Sequence, residues 1–244
     1  MPPAFKLHSP ETGTPYAIYV VAPETQPGPW PVVLCMDGDD QFESAVEAYL
    51  ALRKTNQVPP VLLVGVGYGA SYASGANKRG RDYTPTHNDE EPSSGGAEAF
   101  LNFLTATLWP ELKRRYPVKS EPRGLAGYSL GSLFVLYALF QAKPFFTHHL
   151  AGSPSVWWDD CAVLRQAKAL RAHQVALPAT LFLSVGDQDS ASMVGDLALL
   201  EDQLAAKPFE KLDVIARRFP GRHHFNALPD TYRAGWTTLF GLPE

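Results

Sequence analysis

The sequence predicts an α/β chain with a mostly parallel, doubly wound sheet flanked by helices. Three observations carry that expectation. Short runs that are apolar throughout recur along the chain, namely Val32–Met36 (VVLCM), Val61–Val66 (VLLVGV) and Thr180–Val185 (TLFLSV). Such runs suit strands covered on both faces. Segments with helical spacing lie between them, and strand and helix alternate, which right-handed crossovers join into a parallel sheet.

Each element follows in order. Tyr16–Val21 (YAIYVV) reads as a strand paired with Phe5–His8 across the turn-prone SPETGTP stretch. Pro23–Pro31 is a connection, Phe42–Arg53 a helix, and Gly67–Gly96 a polar, glycine-rich stretch after the second buried strand. Ala97–Arg115 has Phe100, Leu101, Leu104, Leu108, Leu112 and Tyr116 broadly on one face, with Pro110 expected to kink or split the helix. Arg123–Tyr128 reads as a strand, Leu130–Phe140 as an apolar helix and Phe145–Leu150 as a strand. Helices over Ala162–His173, Met193–Ala206 and Asp230–Phe240 and a strand over Lys211–Phe219 complete the pattern. Residues 1–244 are expected to form a single domain.

Composition narrows the class. Apolar usage of 45% against 19% charged residues fits a globular enzyme and not a disordered chain. With 21 basic and 25 acidic residues the net charge is −4, and no basic tract stands ready to neutralise phosphates. Nucleic acid and anionic membrane are therefore not the expected partners. Cys35 and Cys161 alone do not suggest a disulfide framework. The start lacks a leader-like basic-then-apolar pattern, and no run of 18 apolar residues follows, so a cytoplasmic protein is expected. The sequence leaves the oligomeric state open.

Gly127-Tyr128-Ser129-Leu130-Gly131 matches the G-x-S-x-G nucleophile elbow. The pattern gains force from its setting, a strand before it (RGLAGY) and a helix after it (LGSLFVLYALF). That makes Ser129 the candidate nucleophile and the α/β-hydrolase fold the expected architecture. The Leu130 N–H, at a helix N-terminus, is placed to meet a developing oxyanion. The second donor should come from Asp37-Gly38-Asp39-Asp40, after the Val32–Met36 strand, with Gly38 or Asp39 the source.

His224 follows the last expected strand, where this architecture delivers its base; adjacent His223 competes with it. The orienting acid should precede the histidine, and Val185-Gly186-Asp187-Gln188-Asp189 offers Asp189, the preferred choice, and Asp187. No carboxylate and histidine cluster has metal-ligand spacing, and the chemistry requires no cofactor.

Several further motifs carry a family resemblance: LCMDGD (Leu34–Asp39), Arg81-Asp82-Tyr83-Thr84-Pro85, Gly95-Gly96 leading into Phe100–Leu104, RGLAGYSLG (Arg123–Gly131), Ser153-Pro154-Ser155-Val156-Trp157-Trp158 and Gly221-x-x-His224. Over nearly its whole length the chain resembles the Putative esterase family, which includes esterase D-like enzymes, siderophore esterases, feruloyl esterases and mycolyltransferases. RDYTP and SPSVWW point to its siderophore-esterase branch.

The resemblance implies a serine-dependent carboxylic ester hydrolase working through an acyl-enzyme. It places the nucleophile on Ser129, the base on His224 ahead of His223, the acid on Asp189 and the first-loop oxyanion donor at Gly38 to Asp39. Arg81, Tyr128, Trp157 and Trp158 are the expected substrate-facing residues. For Arg81 the alternative is a structural network with Asp82; for the tryptophans it is a seal on the core. The Gly67–Gly96 region shows no lid insertion, so small or aromatic esters are favoured over a large enterobactin-type trilactone. The alternatives are a siderophore or feruloyl esterase, an acyltransferase, and a catalytically silent binding protein.

Overall fold

The computed structural model describes residues 1–23 and 26–242. Among these, one sheet holds β1 (Phe5–His8), β2 (Pro15–Val21), β3 (Trp30–Cys35), β4 (Leu62–Gly67), β5 (Val118–Tyr128), β6 (His148–Gly152), β7 (Ala176–Gly186) and β8 (Glu210–Phe219). Their spatial order is β1-β2-β4-β3-β5-β6-β7-β8. The β1–β2 and β2–β4 pairs are antiparallel and all others parallel. The helices are α1 (Phe42–Lys54), α2 (Arg79–Asp82), α3 (Ala97–Asn102), α4 (Trp109–Arg115), α5 (Leu130–Leu139), α6 (Trp158–His173), α7 (Ala191–Ala206) and α8 (Leu228–Phe240).

Successive strand side chains point to opposite faces, which splits the core in two. Leu34, Val64, Leu125, Leu181 and Leu183 pack with the Phe100, Phe134 and Leu197 side of the molecule. Val33, Cys35, Leu63, Leu150 and Phe182 pack against α1 and α8, through Phe42, Tyr49, Trp236 and Phe240. Helices on both faces explain why the strand runs read as continuously apolar. Only β8, at the sheet edge, is largely exposed along its length.

Two expectations shift. The helix expected over Ala97–Arg115 widens into π turns at Phe103–Leu108, where the Trp109 N–H reaches back to the Leu104 carbonyl. Pro110 has no N–H for the regular ladder, and the wider turns carry the chain past it without a break. The strand expected over Phe145–Leu150 runs over His148–Gly152 instead. Phe145 and Phe146 leave the ladder to pack edge-on against Trp109, at 5.1 and 6.5 Å between ring centroids. Before the regular part of α6, Asp159, Asp160 and Cys161 adopt left-handed backbone with φ of 46°, 48° and 58°. The Pro23–Pro31 connection lies partly outside the described residues.

Strand order reverses beside β3: the chain crosses to β4 on one side and to β5 on the other. Crevices form at such switch points, beyond the carboxyl ends of the strands. The exits of β3 and β5 carry Asp37–Asp40 and Ser129.

Candidate active site

Ser129 sits on the turn from β5 to α5 with φ 58° and ψ −121°, a strained conformation for a non-glycine residue. Its surroundings hold it there. The Ser129 N–H donates to the Gly152 carbonyl at 2.9 Å. The Ser132 hydroxyl bonds the Gly127 and Gly152 carbonyls at 2.7 and 2.8 Å. A Cβ on Gly127 would lie 2.5 Å from the Gly131 backbone, so the first motif glycine is required by the closeness of strand and helix.

The His224 ring lies between Ser129 and Asp189, with Nε2 3.0 Å from Ser129 Oγ and Nδ1 3.0 Å from Asp189 Oδ2. The Asp189 side chain is almost wholly buried. Its Oδ1 accepts the Ser190 N–H at 2.8 Å, which leaves Oδ2 aimed at the imidazole. Tyr128 steadies the base from below: its hydroxyl donates to the His224 carbonyl at 2.7 Å and accepts from Ser153 Oγ at 3.0 Å. Burial pushes the Tyr128 phenol up to about 12, so it remains a donor at neutral pH.

The neighbouring candidates take other places. Asp187 Oδ1 accepts the Gly221 N–H at 2.8 Å and ties the β7 exit to the loop carrying His224. His223 uses Nδ1 to accept the Phe225 N–H at 3.2 Å. Gly186 lets the two loops cross, since a Cβ there would lie 2.2 Å from the Arg222 carbonyl oxygen.

Of the two candidates for the second oxyanion donor, Gly38 is already occupied. Its N–H donates to the Val66 carbonyl at 2.9 Å, and a Cβ would strike the Val66 backbone at 2.8 Å. The Asp39 carboxylate turns away to accept the Tyr19 hydroxyl at 2.6 Å and the Gly69 N–H at 2.9 Å. The Asp39 and Leu130 N–H groups find no acceptor among the described residues.

The RDYTP motif supports this loop rather than lining the site. Buried Asp82 accepts from the Tyr16 and Tyr68 hydroxyls at 2.6 and 3.0 Å and from Arg81 Nε at 2.7 Å. Arg81 also donates to Thr14 Oγ1 at 2.7 Å, so its guanidinium is engaged at the β1–β2 turn. The Tyr83 hydroxyl accepts the Asp37 N–H at 2.9 Å. The cation that does line the cleft is Arg79, two residues earlier, paired with buried Asp37. Burial raises the Asp37 carboxyl above its ordinary range, and Arg79 offsets part of that rise.

Two lobes meet at Ser129 and His224. One, of about 470 Å³, is walled by Trp157, Met193, His223 and Phe225; the other, of about 230 Å³, by Asp40, Gln41, Tyr72, Arg79 and Tyr128. Trp157 is half-exposed in the larger lobe, whereas Trp158 is buried with its Nε1–H on Thr86 Oγ1 at 3.2 Å. The two tryptophans thus take different places, Trp157 at the cleft and Trp158 in the core. Arg79 and Phe225 escaped the sequence reading; the available signals were a second arginine ahead of RDYTP and an aromatic residue directly after His224. Among the described residues, no group of three or more His, Cys, Asp or Glu side chains is arranged to hold a metal ion. No helix there is long and apolar enough to cross a membrane.

Comparison with known proteins places the chain. The family model described as "Putative esterase" matches residues 9–228. The ferri-bacillibactin esterase BesA of Bacillus subtilis is 31% identical over 239 residues, covering 88% of this chain and 81% of BesA. A siderophore triacetylfusarinine C esterase of Aspergillus fumigatus is 34% identical over 170 residues, covering 65% of this chain and 58% of that protein. The crystal structure of the BES protein from Bacillus cereus superimposes with a TM-score of 0.86 at 26% identity, covering 98% of this chain and 94% of that one. The chain belongs to the Putative esterase family, a serine-type carboxylic ester hydrolase on the α/β-hydrolase fold.

Proposed function

We propose that this chain hydrolyses the ester bonds of siderophores, with Ser129 as nucleophile, His224 as general base and Asp189 as the orienting acid. The observation that carries the catalytic assignment is the unbroken contact from Asp189 through His224 to Ser129. Support for the substrate class comes from the relatives, which are esterases of ferri-bacillibactin, triacetylfusarinine C, enterobactin and apo-salmochelin. They favour this class over the small or aromatic esters that the short Gly67–Gly96 region suggested. The aromatic rim of the cleft, with Phe225 and Trp157 exposed, is compatible with a substrate larger than the lobes themselves.

The geometry gives each group its step. His224 Nε2 takes the Ser129 proton as Oγ attacks the ester carbonyl, and the Leu130 and Asp39 N–H groups receive the oxyanion. Buried Asp189 stabilises the imidazolium and fixes its tautomer. His224 returns the proton to the departing alcohol, and water then releases the acid from Ser129 by the same route. We place this activity in a single domain and in the cytoplasm; unpaired Cys35 and Cys161 suit a reducing compartment.

The test is kcat/KM for ferri-bacillibactin and triacetylfusarinine C beside ethyl acetate and ethyl ferulate. The siderophores should exceed the simple esters by about a hundredfold or more, on the order of the discrimination that matched binding contacts give. Equal or lower values for the siderophores would return the reading to a general carboxylesterase.

A further inference from the structure

Phe225 is 90% exposed, yet it is not a stray surface ring. It lines both lobes of the cleft, and the residues it shares that position with are Ser129 and His224. The backbone beneath it is fixed: Asn226 Oδ1 accepts the His223 N–H at 2.7 Å, and the Asn226 and Ala227 N–H groups both reach the His223 carbonyl at 3.1 Å. Its ring stands edge-on to His224, 5.5 Å between centroids at 85°. Trp157, 45% exposed, and Met193 share the larger lobe with it.

We infer that Phe225 is a specificity-determining residue that, together with Trp157, holds a planar aromatic ring carried a few bonds from the scissile ester. The inference rests on the ester-hydrolase reading of Ser129. An ester whose carbonyl meets Ser129 must send its acyl part and its alcohol part in different directions, and Phe225 stands where those paths divide. A ring passing between Phe225 and Trp157 gains offset or edge-to-face contact that a saturated ring of similar volume lacks, and the Met193 thioether adds a sulfur–aromatic contact. The rings of the smaller lobe are already engaged: the Arg79 guanidinium lies 5.2 Å from the centroid of Tyr72, and Tyr128 is buried with its hydroxyl on the His224 carbonyl.

The test compares kcat/KM for ethyl phenylacetate and ethyl cyclohexylacetate, which share alcohol and chain length. Their ratio cancels any loss common to both. The unaltered protein should prefer the aromatic ester by about three- to tenfold. Phe225→Ala should bring the ratio to about one, Phe225→Tyr should restore it and Phe225→Leu should not. A ratio near one in the unaltered protein, a ratio kept by Phe225→Ala, or restoration by Leu as good as by Tyr would overturn the inference. Dissociation constants of phenylacetate and cyclohexylacetate for Ser129→Ala and Ser129→Ala/Phe225→Ala, read by ligand-observed NMR, need no turnover. If no ester is hydrolysed the ester reading of Ser129 fails, while the aromatic preference in binding still decides the role of Phe225.

Discussion

The Arg79 guanidinium meets the Asp37 carboxylate side-on, Nε to Oδ1 at 2.8 Å and Nη2 to Oδ2 at 2.9 Å. Asp37 is fully buried and its carbonyl accepts the Asp40 and Gln41 N–H groups at 3.1 and 2.8 Å. The pair thereby sets the turn that carries Asp39, whose N–H is the second oxyanion donor proposed above. Arg79→Met strands a buried carboxylate and should cost about 3–5 kcal/mol at pH 7. The loss should shrink as pH falls, because a protonated Asp37 needs no counter-charge. Urea unfolding at pH 7 and pH 5 measures both, and an unchanged midpoint at pH 7 contradicts the role given to the pair.

Asp189 and Asp187 should separate cleanly. Asp189→Asn presents an amide to His224 Nδ1 and favours the wrong tautomer, with a loss in kcat of up to about 10⁴-fold. Asp187→Asn keeps an oxygen for the Gly221 N–H and should stay within about tenfold of the unaltered enzyme. Steady-state kinetics on one ester decides between them; the reverse order would exchange the two assignments.

Tyr128→Phe removes the bond to the His224 carbonyl and leaves that oxygen and the Ser153 hydroxyl short of a partner. The expected loss is about 1–3 kcal/mol in stability, read by urea unfolding. A fall in kcat should accompany it, since the backbone of the base is no longer pinned.

His149 supplies a pH dependence. It is fully buried on β6, and neither ring nitrogen has a well-aligned partner. Burial, reinforced by neighbouring His148, pushes its pKa from 6.5 down to about 3. Below pH 6.5 the unfolded chain therefore takes up a proton that the folded chain refuses. Stability from this group is complete above pH 6.5 and falls by about 1.4 kcal/mol per pH unit toward pH 3. His149→Leu should flatten the stability profile between pH 6.5 and 5 by about 2 kcal/mol. A parallel profile in urea titrations would contradict this.

The sheet and the site were legible in the sequence to different depths. The apolar runs of β3, β4 and β7 were readable because burial on both faces leaves no polar alternation. The elbow was readable because Gly127 is dictated by a local clash within nine residues of chain. The start of β6 was not, since Phe145 and Phe146 answer to Trp109, some 35 positions away in the chain. Gly38 shows the same limit: a strand-exit glycine suits both an oxyanion donor and close packing, and only the Val66 carbonyl decides. Arg79 was hidden because its partner Asp37 lies 42 residues away, whereas Arg81 stood inside a conspicuous motif.

Every step proposed for the site depends on Ser129 being the nucleophile. Intact mass and peptide mapping after treatment with a fluorophosphonate probe test it directly, beside turnover of Ser129→Ala. One adduct on Ser129, none on the variant, and loss of nearly all turnover in the variant are expected. An adduct elsewhere, or turnover retained by Ser129→Ala in a preparation free of contaminating esterases, would contradict it.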